Sequence, residues 1–222
     1  MTLLYLIRHG ETAWNADGRF QGQHDVPLND TGLRQATDTG AALARVPFAA
    51  VYTSDLARAA QTAAQVAAPH GLTLRADPRL RELHFGAWET HTMAEIGAAH
   101  PELLAAWHTN PLHVRLPGGE TLAEMQLRVA AALTDIVAAH PDETVAVIGH
   151  GGTVRALIVT ALGADLSVFR RLRFDNCSIS LLDVTDGRYL LRTCNDLCHL
   201  GQTRPHATWD ESGDQWRRTQ GT

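Results

Sequence analysis

Hydrophobic residues occur along this chain in short runs that alternate with segments of helical periodicity. Short apolar runs predict β-strands, and apolar positions three and four residues apart predict helices with one buried face. The predicted strands are Leu3–Arg8, Ala50–Thr53, Val145–Ile148, Ile179–Val184 and Tyr189–Thr193. The predicted helices are Thr31–Ala44, Ser54 to about Ala68, Thr92–Ala99, Glu102–His108, a long helix after Thr121, and Thr153–Leu162. This alternation is typical of an α/β fold built around a central sheet.

Three features of this pattern carry strong local signals. Thr121 and Glu124 match the S/T-x-x-E capping box, which predicts a helix start. The apolar stripe that follows consists of Leu122, Met125, Val129, Leu133 and Ile136. The all-apolar run Val145–Ile148 predicts a strand covered on both faces, and Asp186-Gly187 predicts the turn of a hairpin.

We expect one domain over residues 1–200, followed by a polar tail over residues 201–222. The segment Leu83–Pro117 holds two short helices split by Pro101 and reads as a helical insertion over one face of the sheet. It either shapes a substrate site or is a packing excursion. Trp209 and Trp216 are the only large apolar residues of the tail, which is either loosely held or a flap.

Composition narrows the function classes. With 45% hydrophobic and 19% charged residues the chain can form a core, and its net charge of −5 argues against nucleic-acid or anionic-membrane partners. An anionic ligand must then be held by a local cluster of cations. Three cysteines, an odd number, favour a reducing compartment over a disulfide framework. No apolar run approaches ~20 residues, so we expect a cytoplasmic protein without a membrane span.

The strongest candidate chemistry is a repeated motif. Ile7–Thr12 and Ile148–Thr153 both read Ile-x-His-Gly-x-Thr, and each follows a predicted strand. Histidines at the carboxyl ends of buried strands lie where open α/β sheets bind ligands. The glycines allow close approach of a ligand to the backbone, and a helix N-terminus after the second motif favours an anion. We therefore expect His9 and His150 to meet at one anion site.

Four further residues could complete such a site. Arg8 adjoins the first histidine, and Arg58 follows the predicted Ser54 cap within the first turns of its helix. Arginine binds phosphate oxygens in a bidentate way, and Asn15 can donate its amide to the same oxygens. Glu82, between an apparent strand and a loop, could act as a general acid. From these residues alone, Arg58 could equally be a solvated residue on the helix face, and a surface carboxylate is the simpler interpretation of Glu82.

Several blocks of sequence occur in a characteristic order. They are Leu6–Asn15, Gly18–Gly22, Asp25–Leu28 with Thr31-Gly32, Ser54–Ala63, Leu80–Glu89, Pro117–Thr121 and Val147–Gly152. Together they resemble the histidine phosphatase superfamily, in its phosphoglycerate mutase-like branch. One departure is that Thr90 and His91 follow Glu89 where the family has glycine, which affects the expected path of the loop after Glu82.

The resemblance implies a three-layer α/β/α sandwich with a mostly parallel central sheet, and a metal-independent phosphatase without a cofactor. It implies that His9 attacks phosphorus while its other ring nitrogen donates to a backbone carbonyl. Glu82 would protonate the leaving alkoxide and then take a proton from water. The residues implied to bind the phosphoryl oxygens are Arg8, Asn15, Gln21, Gly22, Arg58, His150 and Gly151. Two arginines plus one or two imidazoliums would then stabilise the charge that Mg²⁺ neutralises elsewhere.

Other functions stay open at this stage. A cofactor-dependent phosphoglycerate mutase is the alternative within the enzyme class, although the mutases resemble one another in a longer insertion before the Pro117–Thr121 block. A non-catalytic phospholigand-binding module would be expected to lack His9 or Glu82. A zinc protein is suggested by twelve histidines and by Cys194 and Cys198, but no second ligand pair follows at a usual distance. The expected partner is a small-molecule phosphomonoester, and a homodimer is compatible with the sequence.

Overall fold

The computed structural model describes residues 1–201, so the predicted tail lies outside the described residues except for Gly201. The strands are β1 Thr2–Arg8, β2 Phe48–Thr53, β3 Leu74–Ala76, β4 Thr144–Gly149, β5 Ile179–Thr185 and β6 Arg188–Asp196. The helices are α1 Ala13–Ala16, α2 Asp30–Leu43, α3 Ala57–Ala67, α4 Met93–Ala99, α5 Pro101–Thr109, α6 Leu122–Ala139 and α7 Gly151–Ala161. Short 3-10 turns connect several of them.

The six strands form one sheet in the order β3-β2-β4-β1-β5-β6. Strands β1 to β4 are mutually parallel, whereas β5 runs antiparallel to both β1 and β6. The expectation of a mostly parallel sheet is therefore confirmed. The short edge strand β3 was not predicted, because its three residues contain no apolar run that distinguishes them from a loop.

Helices cover both faces of the sheet. In β1, Leu4 and Leu6 pack on the side of α6 and α7, whereas Ile7 packs on the side of α2 and α3. Side chains alternate in the same way along β4, where Val145 and Val147 face one layer and Ala146 and Ile148 face the other. This is the three-layer arrangement implied by the resemblance, and it explains why β4 is apolar throughout.

The insertion contains the two expected helices, α4 and α5, and Pro101 lies at the first position of α5. Trp88, Ile96 and Trp107 join the core on the α6 and α7 face. The segment thus extends one helical layer.

One predicted cap is wrong. Helix α3 begins at Ala57 and not at Ser54, because the Ser54 hydroxyl is used earlier, in accepting from the Leu56 amide at 3.3 Å. The Asp25 carboxylate, from a distant loop, accepts from the Ala57 amide at 2.6 Å instead. Helix α7 begins at Gly151, two residues before the predicted start.

Two local predictions are confirmed. The Thr121 hydroxyl accepts from the Glu124 amide, and the Glu124 carboxylate accepts from the Thr121 amide. Asp186 and Gly187 turn the β5–β6 hairpin with φ of 50° and 74°, the paired left-handed conformation that hairpin turns favour. Across the described chain, none of the helices combines the length and the apolar character that spanning a bilayer requires.

Candidate active site

The two histidines that follow β1 and β4 lie side by side. Arg8 pairs with Gly149 in the parallel register, and the His9 amide donates to the Gly149 carbonyl at 2.9 Å. The rings of His9 and His150 are buried, with centroids 5.1 Å apart and an interplanar angle of 63°. Both imidazoles therefore border one point at the carboxyl edge of the sheet, as the repeated motif predicts.

The tautomer of His9 follows from its hydrogen bond. Its Nδ1 lies 2.6 Å from the Gly10 carbonyl oxygen, which can only accept. Nδ1 therefore carries the proton, and Nε2 keeps its lone pair. A Cβ at Gly10 would lie 2.6 Å from the Gly32 carbonyl oxygen, so only glycine fits beside the histidine here.

His150 has the opposite tautomer. The Arg58 Nε donates to His150 Nδ1 at 3.1 Å, and a guanidinium N–H cannot accept. The proton of the neutral ring is therefore on Nε2. Within residues 1–201 this Nε2 is buried and has no hydrogen-bond partner. It is a donor left available for a ligand oxygen.

Burial lowers the pKa of both His9 and His150 well below the usual value, and the positive charge of Arg58 lowers both further. Arg8 acts in the same direction on each ring. Both rings are therefore neutral at pH 7. This corrects the expectation of imidazoliums at the site, because Arg8 and Arg58 already supply the positive charge.

Arg58 is fully buried, so the alternative of a solvated helix-face residue is excluded. Its Nη1 donates to the His24 carbonyl and its Nη2 to the Gly22 carbonyl, each at 2.7 Å. Burial lowers its pKa to about 10, against the opposing effects of Glu82 and Asp25. The guanidinium is therefore still charged at neutral pH.

Arg8 provides a second cation at the end of β1. Its Nη1 donates to the Phe174 carbonyl at 2.7 Å. Burial lowers its pKa, while the charges of Glu82 and Asp175 raise it. Its Nε is buried and finds no partner in the described part of the chain, which leaves a second donor for a ligand.

The Glu82 carboxyl is partly buried and held in a fixed position, so it is not an open surface carboxylate. It follows a 3-10 turn at Pro78–Leu80, where a strand end was expected. Its Oε2 accepts from the Gly152 amide at 3.0 Å and its Oε1 from the Leu83 amide at 2.8 Å. A Cβ at Gly152 would lie 2.1 Å from Glu82 Oε1, so this glycine lets the carboxyl reach the start of α7.

Two amide side chains were also expected to bind phosphate. The Asn15 Oδ1 accepts from the Thr12 amide at 3.2 Å as part of the capping box of α1. Its Nδ2 is the end left for a ligand. Gln21 is buried, and its Oε1 has no hydrogen-bond partner among the residues described.

The two glycines of the expected phosphate site lie beside the arginines. Gly22 has a φ of 51° and uses its carbonyl to hold Arg58. Gly151 is the first residue of α7, and a Cβ there would lie 3.6 Å from Arg8 Nε. Gly22 therefore holds Arg58 through its carbonyl, and Gly151 lies next to Arg8.

A comparison to protein families agrees with this arrangement of the histidine pair, the buried Arg58, the half-buried Arg8 and the Glu82 carboxyl. A model described as the histidine phosphatase superfamily (branch 1) matches residues 4–197. The chain belongs to this superfamily.

Three similar proteins cover nearly the whole chain. Phosphoserine phosphatase 1 of Hydrogenobacter thermophilus is 34% identical over 202 residues, which are 91% of this chain and 96% of that protein. Probable phosphoglycerate mutase GpmB of Yersinia pestis is 34% identical over 205 residues, 90% of this chain and 95% of that protein. The solved structure of Bacillus stearothermophilus YhfR is 33% identical with a TM-score of 0.85, covering 90% of this chain and all of that one.

Sequence reasoning missed two residues that hold the histidine phosphatase site together. The Asn176 Nδ2 donates to the His9 carbonyl at 3.0 Å and to the Asn15 Oδ1 at 3.3 Å. Arg128, in α6, donates from Nη2 to the Glu82 carbonyl at 2.9 Å. Neither residue belongs to a motif or to an apolar periodicity, so no signal in a single sequence could have found them.

Glu89 is a third missed residue, and it anchors the loop that holds Arg58. This buried carboxylate accepts through Oε1 from the amides of Gln23 and Phe85, each at 3.0 Å. A Cβ at Gly22 would lie 2.0 Å from the same oxygen. The sequence signal that could have identified Glu89 is its position at the end of the block Leu80–Glu89.

A metal site is not built into this arrangement of side chains. Among the side chains that the structure describes, no group of three or more His, Cys, Asp or Glu is placed to hold a metal ion. The zinc alternative therefore gains no support from Cys194, Cys198 and the histidines near them.

The two tautomers can be observed directly. In a histidine nitrogen-labelled sample, we expect His9 to show Nδ1–H and His150 to show Nε2–H. Because their pKa values are lowered, both rings should stay neutral as the pH falls through 6.5, where exposed histidines gain protons. The His9→Asn and His150→Asn variants assign the signals, and protonation of either ring near pH 6.5 would contradict the assignment.

Proposed function

We propose that this chain is a phosphomonoester hydrolase that works through a phosphohistidine on His9, without a metal ion or cofactor. The observation that supports it best is the pair of complementary tautomers. His9 presents a lone pair on Nε2, and His150 presents an N–H on Nε2, with ring centroids 5.1 Å apart. One group can form a bond to phosphorus while the other donates to a phosphoryl oxygen.

In the first step, the Nε2 lone pair of His9 forms a bond to phosphorus, and the bond from phosphorus to the ester oxygen breaks. The leaving oxygen takes a proton from Glu82. In the second step, a water oxygen attacks phosphorus and gives a proton to Glu82. The N–P bond then breaks and returns its electron pair to His9, so that the enzyme is regenerated.

Charge on the transferring phosphoryl group is stabilised by Arg8 and Arg58, with neutral donors from His150 and Asn15. A cation and an anion about 4 Å apart interact by roughly 4 kcal/mol at an effective dielectric constant of 20, before desolvation is subtracted. Both guanidiniums are already held by backbone carbonyls. Because they need no reorganisation during the reaction, this preorganised charge is the main source of rate enhancement we propose.

A rapid-quench experiment tests the covalent step. With a radiolabelled phosphomonoester, label should remain on the protein after an alkaline quench and be lost after an acid quench, because a phosphoramidate is acid-labile. His9→Asn should carry no label, while His100→Ala, at an exposed position, should label as wild type. An acid-stable adduct, or label on His9→Asn, would contradict a phosphohistidine.

The name of the Yersinia relative keeps phosphoglycerate mutase as the second candidate. When the present chain is given 3-phosphoglycerate with catalytic 2,3-bisphosphoglycerate, it should release phosphate faster than it forms 2-phosphoglycerate. The reverse ratio would identify a mutase. Binding of a phosphoester without turnover, in wild type as in His9→Asn, would instead indicate a binding module.

The substrate we propose is a small phosphorylated metabolite, in keeping with the phosphatase name of the Hydrogenobacter relative. A cytoplasmic location and a homodimeric state stay predictions. Fractionation of cells that produce the protein tests the first, and sedimentation of the purified chain tests the second.

A further inference from the structure

Arg155, in α7, brings a third guanidinium to the edge of the site. It lies one turn after Gly151, and helical side chains point back towards the N-terminus, so its guanidinium reaches the level of that glycine. A Cβ at Gly151 would lie 3.8 Å from Arg155 Nη1 and 3.6 Å from Arg8 Nε. Both guanidinium groups therefore lie close to Gly151, at the start of α7.

Arg155 is held as firmly as Arg8. Its Nε donates to the Leu172 carbonyl at 2.7 Å, and its Cζ lies 5.6 Å from the ring centroid of Phe169. The Phe174 carbonyl, two residues further along, accepts from Arg8 at 2.7 Å. Alternate carbonyls of one segment therefore fix two arginines next to each other.

No carboxylate pairs directly with Arg155 in the part of the chain that is described, although the charge of Glu82 acts on it from a longer distance. Burial lowers its pKa to about 10, Glu82 opposes this, and Arg8, Arg170 and Arg173 lower the pKa further. Arg155 is half-buried, and a cation that lies close to other cations is stabilised when an anion pairs with it. Since Arg8 serves the phosphoryl group, a second anion is the group that would stabilise Arg155.

We infer that Arg155 is a specificity-determining residue, whose terminal nitrogens bind a carboxylate joined to the phosphoester by a short carbon chain. The Leu172 carbonyl occupies Nε, which leaves the Nη1 and Nη2 end of the fork to meet two oxygens side by side. This inference rests on the proposed phosphatase function and adds a substrate group that the phosphate site itself does not need.

Two substrates with the same three-carbon skeleton test it. 3-Phosphoglycerate carries a carboxylate where glycerol 3-phosphate carries a hydroxymethyl group. The wild type should show the higher kcat/KM for 3-phosphoglycerate. Arg155→Met should lower that preference by about 10- to 100-fold, the loss expected for a hydrogen-bonded charge pair. The kcat/KM for glycerol 3-phosphate and for p-nitrophenyl phosphate should change little.

Two further variants separate charge from structure. Arg155→Lys keeps the charge and should keep part of the preference, whereas Arg34→Met, on the exposed surface of α2, should keep all of it. An equal loss on all three substrates would mean that Arg155 serves the phosphoryl group or the fold, and an unchanged preference would mean that it contacts no carboxylate. Either result overturns the inference. Failure of wild type on every phosphoester would instead overturn the proposed phosphatase function.

Discussion

Replacing His9 with alanine should lower kcat by on the order of 10⁴-fold or more, because removing a nucleophile removes the covalent route itself. The neighbouring donors cannot substitute. His150 has its Nδ1 occupied by Arg58 and its Nε2 protonated, so it has no lone pair for phosphorus. Hydrolysis by direct attack of water would be the only path left.

The fold should survive this change. The His9 backbone remains paired, since its amide donates to Gly149 and its carbonyl accepts from Asn176. The contacts that the ring loses include those with His150 and the Gly10 carbonyl. Thermal unfolding of His9→Ala and of the exposed control His100→Ala should therefore be similar. Turnover within about tenfold of wild type, in a folded His9→Ala protein, would refute the mechanism at its first step.

The place of the two histidines could be predicted from the sequence because the information is local. Each motif follows an apolar strand, and the carboxyl ends of parallel strands meet at one edge. The adjacency of β1 and β4 then brings the motifs together. Their tautomers could not be predicted in this way, because these depend on the Gly10 carbonyl and on Arg58, whose positions only the folded chain defines.

The burial of Arg58 shows why sequence motifs alone do not predict the protonation states of the site. Its helix position was predictable, but its acceptors are the carbonyls of Gly22 and His24, in a loop with no periodic pattern. That loop is held in turn by Glu89 through the Gln23 amide. The sequence therefore predicted a cation at the site. It did not predict that the neighbouring histidines are neutral, because their lowered pKa values result from burial in the folded chain.

Changing Glu82 to glutamine should slow the reaction in a way that depends on the leaving group. A general acid contributes about 10²- to 10⁴-fold when the departing oxygen needs a proton. Alkyl phosphates should therefore lose most of their rate. p-Nitrophenyl phosphate should lose far less, since its phenolate is stable without a proton. Glu102→Gln, on the exposed start of α5, is the matched control and should leave both rates unchanged.

Glutamine at position 82 also disturbs the hydrogen bonds of the carboxyl. One of its two ends cannot accept, so either the Gly152 or the Leu83 amide loses its partner. That structural loss lowers kcat/KM for both substrates by the same factor. Loss of the proton donor lowers kcat/KM for alkyl phosphates more than for p-nitrophenyl phosphate. The ratio of the two kcat/KM values is thus the quantity to measure. If Glu82→Gln slows alkyl and p-nitrophenyl phosphates by the same factor, Glu82 only positions the start of α7, and the proton must come from another group.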